Sequence, residues 1–201
     1  MGEATKSPLK VHFDRRLKIE FRGTTITSDA GLLAFRELDD ALGLTRMAAS
    51  RLTECRKGKN TQHALVALLR QSIFGRLAGY EDVNDAERLR LDPAMRSLVG
   101  HGDAPRYAAS TSEMARFETE QLATEENLEA LPDLSGHWID RVYERTALKG
   151  LVLDMDSSDS PTFGQQEGST FNGHFGFTCY HPLFVFNQFG DLERAMLRPG
   201  N

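Results

Sequence analysis

The chain has 201 residues, 40% of them apolar and 26% charged, with a formal net charge of −5, an ordinary balance for a soluble globular protein that can bury a core. Its two cysteines, Cys55 and Cys179, are too few and too far apart to suggest a disulfide scaffold or a zinc site. The polar first ten residues argue against a signal peptide, and no apolar run approaches the roughly 18 residues of a membrane span, so a cytoplasmic, reducing location is expected.

Charge is unevenly spread. Residues 1–100 hold 17 Lys and Arg against 13 Asp and Glu, a net of +4. Residues 101–201 hold 7 against 16, a net of −9. Any polyanionic partner is therefore expected at the front half.

In chain order, Val11, Phe13, Leu17, Ile19 and Phe21 alternate with charged neighbours, and Asp14-Arg15-Arg16 suits a hairpin turn. Residues 1–28 read as an extended segment. Ser28 and Asp29 then offer a helix start, with Leu32, Phe35, Leu38 and Leu42 at helical spacing up to Gly43. Leu44 to Thr53 reads as a second helix. The basic loop that follows, with Arg56, Lys57 and Lys59, feeds a helix predicted from Thr61 to about Leu77. Its apolar stripe is Leu65, Leu68, Leu69, Ile73 and Leu77, leaving Arg70 and Arg76 on other faces. Basic side chains beside a helix start are natural phosphate contacts, so Arg56, Lys57, Lys59 and Arg70 are the candidate DNA-binding residues.

Asn84 or Asp85 can cap a shorter helix that stops before Asp92-Pro93, and residues 100–109 read as a loop. Ser110, Thr111 and Ser112 can cap a helix carrying Met114, Phe117 and Leu122. Pro132-Asp133 interrupts the pattern, and Trp138, Val142 and Arg145 belong to a last helix ending near Lys149-Gly150. The helical region thus spans 29–148.

Residues 149–201 are β-rich. Leu151, Val152 and Leu153 run into Asp154, Asp156 and Asp159. On a strand, Asp154 and Asp156 share one face while Leu153 and Met155 share the other, with Cα atoms about 6.6 Å apart. Two carboxylates at that spacing repel by roughly 2.5 kcal/mol at an effective dielectric near 20. A hard cation such as Mg²⁺ between them would offset that cost; a strand cap and solvated turn is the plainer alternative. Gly164, Gly168, Gly173 and Gly176 punctuate a flexible connection. Three extended runs follow, around Phe175–Cys179, Leu183–Phe189 and Leu192–Arg198, the pattern of an antiparallel sheet rather than of βαβ units. The fold class expected is α+β, and His174 and His181 read as ordinary sheet residues.

Two enzyme families begin with an apolar strand that runs into paired aspartates. Asp154-Met155-Asp156-Ser157-Ser158 is superficially similar to the haloacid-dehalogenase type of phosphotransferase. That fold needs alternating strands and helices, and a later lysine, whereas no Lys follows Lys149. The larger resemblance is to DDE-type insertion-sequence transposases of the group-one kind, which are RNase H-like. It rests on Val152–Gly168 (VLDMDSSDSPTFGQQEG), Phe171–Gly176 (FNGHFG) and Leu197–Asn201 (LRPGN). In the front half it rests on Thr27–Leu33 (TSDAGLL), Arg36–Asp39 (RELD), Gly79–Asp85 (GYEDVND), Ser110–Ser112 and Arg116–Glu118.

This resemblance implies cutting and joining of double-stranded DNA at terminal inverted repeats, with two Mg²⁺ ions (or Mn²⁺ as substitute) held by an Asp-Asp-Glu set. It makes residues 29–148 a DNA-end-binding region and residues 149–201 the start of an RNase H-like catalytic domain. Asp156, followed by Ser157-Ser158, is the first choice for the first catalytic aspartate, with Asp154 second or a supporting ligand. Gln165, Gln166 and Glu167 lie near the site or the DNA, or form a polar turn. The later aspartate and glutamate of the resembled domain lie beyond a Pro-Gly-Asn segment, and Glu193 follows the first aspartate too closely for either role. The chain is therefore expected to be an amino-terminal portion, inactive alone, with an apolar face around Phe175, Phe177, Phe184 and Phe186 left uncovered. A non-enzymatic alternative is a DNA-binding remnant that self-associates, or pairs with full-length transposase and inhibits it.

Overall fold

A computed structural model of the chain describes residues 9–19, 29–58, 61–101, 104–144 and 148–201. They form two compact units, 1–128 and 129–201, so the last helix belongs with the strands rather than with the helices before it.

In the first unit, the alternation around Asp14 produces an antiparallel ribbon of β1 (Leu9–Lys10) and β2 (Lys18–Ile19). Asp14 closes the turn: its Oδ1 accepts the backbone N–H and the Nε–H of Arg16, both at 3.0 Å. Those two bonds hold the Asp14 carboxyl below the usual carboxylate range. Phe21 lies outside the described residues. Phe13, Leu17 and Ile19 pack against the main core of the unit, which includes Leu32, Leu33, Phe74, Leu89, Met95, Leu98 and Val99.

Helices α1 (Leu32–Leu42) and α2 (Leu44–Arg51) are separated by Gly43, whose φ of 74° places it in the left-handed region that glycine tolerates best. The buried face of α1 departs from the predicted stripe. Leu32, Leu33, Arg36 and Asp39 are inside, whereas Phe35 and Leu38 are about half exposed. Tertiary pairing explains the reversal: Arg36 donates through Nε to the Leu98 carbonyl at 3.0 Å and through Nη1 to Asp40 at 2.5 Å. Asp39 accepts the Thr45 N–H at 2.8 Å, which fixes the start of α2.

Helix α3 (Leu65–Leu77) starts later than predicted, because residues 61–64 are held by the preceding loop. There the Thr61 hydroxyl donates to the Gly58 carbonyl, and Arg56 donates to that of His63. The segment around Asp85 is a 3₁₀ turn (Val83–Asp85) leading into α4 (Ala86–Leu89), capped by Asp82 rather than by Asn84 or Asp85. Pro93 opens a helix, α5 (Pro93–Val99), at the first position where its missing N–H costs nothing, with Asp92 Oδ1 accepting from Met95 N at 2.8 Å. Ser110 caps α6 (Thr111–Arg116), which continues as a π-helical turn over Phe117–Gln121. Helix α7 (Glu125–Ala130) spans the division between the units.

In the second unit, α8 (Leu134–Tyr143) lies against the last strand of a three-stranded antiparallel sheet. That sheet comprises β3 (Leu153–Ser157), β7 (Leu183–Asn187) and β8 (Leu192–Met196), in the order β3-β7-β8. Gly136 allows the contact, since a Cβ there would stand 2.6 Å from the Glu193 carbonyl oxygen. Ser135 Oγ donates to the same carbonyl at 3.1 Å, and Arg194 pairs with Asp133 at 3.1 Å.

A second sheet, in the order β4-β6-β5, comprises β4 (Ser160–Pro161), β5 (Thr170–Asn172) and β6 (Phe177–Tyr180). Strands β4 and β5 fall in the stretch read from sequence as a flexible connection. They are short and are held by β6 and the final residues. Asn172 Oδ1 accepts the N–H groups of His174 and Phe175, while its Nδ2 donates to the Gly200 carbonyl. A bridge joins Tyr180 to Pro199. The segments Phe171–Gly176 and Leu197–Asn201 thus form one structural element.

The architecture is α+β, with antiparallel strands after β3, consistent with part of an RNase H-like fold. Among the described residues no helix is long and apolar enough to cross a membrane.

Candidate catalytic face and nucleic-acid surface

Strand β3 is exposed along its whole length and pairs with β7 on one edge. The register places Asp154 opposite Phe186 and Asp156 opposite Phe184. Side chains of directly opposed residues lie on the same face of a sheet, so the two aspartates share a face with the two phenylalanines. The Phe184 and Phe186 rings lie 6.3 Å apart, centroid to centroid, and are half-buried. Leu153 and Met155 occupy the other face, and Met155 is 69% exposed. The apolar side chains left most open are therefore not the predicted phenylalanines. Phe175, Phe177, Phe184 and Phe186 are all half-buried, whereas Met155, Phe163 and Phe171 are exposed.

Two other carboxylates of this unit, Asp191 and Glu193, are engaged elsewhere. Asn187, opposite Leu153, donates through Nδ2 to Glu193 Oε1 at 2.8 Å and to Asp191 Oδ2 at 3.2 Å. Tyr143 Oη also donates to Asp191 Oδ2, at 2.5 Å, and this bond to a carboxylate raises the phenol above its ordinary pKa. Glu193 and Asp191 therefore serve the α8 side of the sheet, opposite to Asp154 and Asp156. Among the described residues no group of three or more His, Cys, Asp or Glu side chains is placed to hold a metal ion. Two exposed carboxylates on one face, completed by water, nevertheless match the oxygen donors that a single Mg²⁺ takes from a protein.

Gln165, Gln166 and Glu167 are exposed on the loop joining β4 to β5, so they lie on the second sheet while the aspartates lie on the first. Their backbone shapes that loop. The Gln166 carbonyl accepts from Ser169 Oγ at 2.8 Å, and the Glu167 carbonyl accepts from Tyr180 Oη.

The basic candidates separate into different environments. Arg56 folds back on Glu54, with Nε to Oε1 at 2.7 Å and Nη2 to Oε2 at 2.5 Å. This pairing raises the Arg56 pKa and lowers that of Glu54. Lys57 is exposed, and Lys59 lies outside the described residues. Arg70 is only 3% exposed. Its Nε lies 3.5 Å from Asp39 and 3.1 Å from Thr45 Oγ1, and its Nη2 lies 3.6 Å from Asp40. Arg70 therefore faces the interior, where it balances aspartates of α1, and is not presented to a phosphate. The helical stripe signalled only that Arg70 lies off the Leu65–Leu77 line; the second packing face of α3 removes it from solvent.

Beside the basic loop, a cleft of about 360 Å³ is lined by Arg56 and Arg116 but also by Glu113 and Glu120, so its charge is mixed. A second concavity, of about 340 Å³, lies on the hairpin and is lined by Lys10, Val11, His12, Arg15 and Lys18. Sequence reasoning identified that hairpin but not its cations as a surface. The available signal was that the outward positions of the alternating pattern are basic.

Comparison with known families returns a match over residues 9–201 to the family described as transposase DDE domain group 1. No curated protein and no solved structure matches the chain.

Proposed function

The chain belongs to the transposase DDE domain group 1 family, and on that premise we propose that it works in cutting and joining DNA at the terminal inverted repeats of a mobile element. The observation that carries the reading is the placement of Asp154 and Asp156 on one exposed face of β3. Asp156, followed by Ser157-Ser158, serves as the first catalytic aspartate, and Asp154 as a supporting ligand of one Mg²⁺ or Mn²⁺. When bound, such an ion supplies Lewis-acid polarisation of a phosphate oxygen. Phe184 and Phe186 provide an apolar floor beside the carboxylates. Lys57, with Arg56 partly neutralised by Glu54, contributes attraction for the duplex from the first unit.

A second reading draws on the diversion of Glu193 and Asp191 to the α8 side of the sheet. With those carboxylates turned away, the chain acts as a non-catalytic DNA-binding partner that pairs with a complete transposase and inhibits it.

The test is Mn²⁺ binding, followed by water proton relaxation, for wild type, Asp154→Asn and Asp156→Asn. Loss of the relaxation change in Asp156→Asn supports the metal-site assignment; equal binding by all three proteins removes β3 from it. Mg²⁺-dependent nicking of inverted-repeat DNA that Asp156→Asn abolishes selects the enzyme reading. A band shift without nicking, together with inhibition of full-length transposase, selects the second.

A further inference from the structure

We propose that the outer face of the β1–β2 hairpin is a sequence-independent clamp for the phosphate backbone of duplex DNA, an inference that rests on the transposase reading above. Residues 9–19 contain four Lys and Arg against one Asp, and that Asp14 is already bound to Arg16 at 2.8 Å. Lys10, His12, Arg15 and Lys18 are all exposed, while Val11 is buried and Phe13, Leu17 and Ile19 pack inward. The ribbon is therefore amphipathic, with a basic outer face.

Two further observations point to an anionic ligand. Lys10 and Lys18 are direct cross-strand partners, an arrangement of like charges that disfavours a ribbon unless an anion lies between them. Among the described residues no carboxylate pairs with Lys10, Arg15 or Lys18, and these three line the hairpin concavity of about 340 Å³. A single phosphate would engage only part of this face. A duplex backbone, with one charge for about every 1.7 Å of axis, can meet all three cations.

The ribbon is also anchored to its unit. His12 N donates to Glu37 Oε2 at 2.6 Å, and the Arg36 guanidinium lies 4.6 Å from the centre of the Phe13 ring. The cations are thus presented from a fixed platform. Contacts of this kind to phosphates position a duplex without selecting its sequence.

The test measures binding of the whole chain to two labelled duplexes of unrelated sequence by fluorescence anisotropy across a salt series. The variant is Lys10→Gln/Arg15→Gln/Lys18→Gln. Each lost phosphate contact should reduce the slope of log K against log salt by about 0.9, so the triple variant should lose about 2.7, equally on both duplexes. Removal of the opposed lysines should leave the melting temperature at or above that of wild type. Should the triple variant misfold, Lys18→Gln alone should still lose about 0.9. An unchanged slope with intact wild-type binding overturns the clamp and leaves the transposase reading standing. Failure of the wild type to bind any duplex counts against that reading, and the clamp falls with it. Release of DNA by inorganic phosphate, beyond the effect of equal ionic strength from chloride, would identify a single-phosphate pocket and also overturn the clamp.

Discussion

Replacement of Arg70 by Met separates a structural role from a DNA-binding one. Arg70 and Arg36 face Asp39 and Asp40 in a cluster that the exposed Arg46 joins through Asp40 at 3.9 Å, with Arg70, Arg36 and Asp39 almost fully buried. Burial, followed by the charge of Arg70, lowers the Arg36 pKa, and the two aspartates oppose that shift. Met fills similar volume but leaves Asp39 with the Thr45 N–H and hydroxyl as its remaining partners. Breaking one side of a buried pair costs about 3–5 kcal/mol, which for a chain of this size is roughly 6–20 °C of melting temperature. Arg70→Lys should recover only part, because a single ammonium cannot replace a fork that reaches Asp39, Asp40 and Thr45 together. Arg70→Met/Asp39→Leu should lose less than the sum of its parts, since both buried charges leave together. Urea melts of wild type, Arg70→Met, Arg70→Lys, Asp39→Leu and the double variant, with equal m-values, check the series. A change below about 0.5 kcal/mol for Arg70→Met would show the carboxylates to be solvated and refute the reasoning. A reduced DNA salt slope without loss of stability would return Arg70 to the phosphate contacts.

Three other changes probe the supports of the second unit and the hairpin. Gly136→Ala places a Cβ 2.6 Å from the Glu193 carbonyl oxygen and should cost about 1–3 kcal/mol in urea melts, through separation of α8 from β8. Gly200→Ala meets the Thr170 and Cys179 carbonyls at 2.5 and 2.6 Å; amide exchange in β5 and β6 should accelerate, and unchanged protection would rule out docking of Leu197–Asn201. For Asp14, the folded pKa lies below the unfolded value, so its contribution is complete above about pH 4 and is lost as pH falls through the folded value. The Arg16 side-chain NMR signal should follow that loss, and a signal unchanged down to about pH 2 would sink the assignment.

Much of this molecule was legible because local signals agreed. The hairpin around Asp14, the Gly43 stop, the Ser110 cap and the antiparallel order after Asp154 all follow from patterns a few residues long. Where sequence reasoning failed, a partner distant in sequence had decided the outcome. Phe35 and Leu38 were expected in the α1 core, but Arg36 and Asp39 take that position because Leu98, Arg70 and Thr45 satisfy them. Asn187 was legible only as one position of the extended run Leu183–Phe189, yet it is 4% exposed and organises Asp191 and Glu193. Asp154 and Asp156 were legible as a pair sharing one strand face because alternation on a strand is local. Their surroundings were not, since the facing Phe184 and Phe186 are set by register.

That exposure changes the energetic case for an ion at β3. At about 6.6 Å and a dielectric near 20 the two carboxylates would repel by roughly 2.5 kcal/mol, but in bulk water the figure falls to about 0.6 kcal/mol. Both aspartates are exposed, so the lower value is nearer the truth, and the strand needs no cation to fold. Repulsion therefore supplies little drive for metal binding, and affinity must come from coordination itself. Mg²⁺ gives up its water reluctantly and is commonly held by one or two carboxylates together with substrate phosphates. A site built this way binds an ion weakly by itself and more tightly when a phosphodiester provides further oxygens. Under the proposed function, Asp154 and Asp156 would act on DNA through a shared ion, and under the proposed clamp Lys10, Arg15 and Lys18 would act by direct attraction. Added salt should weaken the second far more than the first, because direct phosphate contacts release counterions while inner coordination of an ion is screened little.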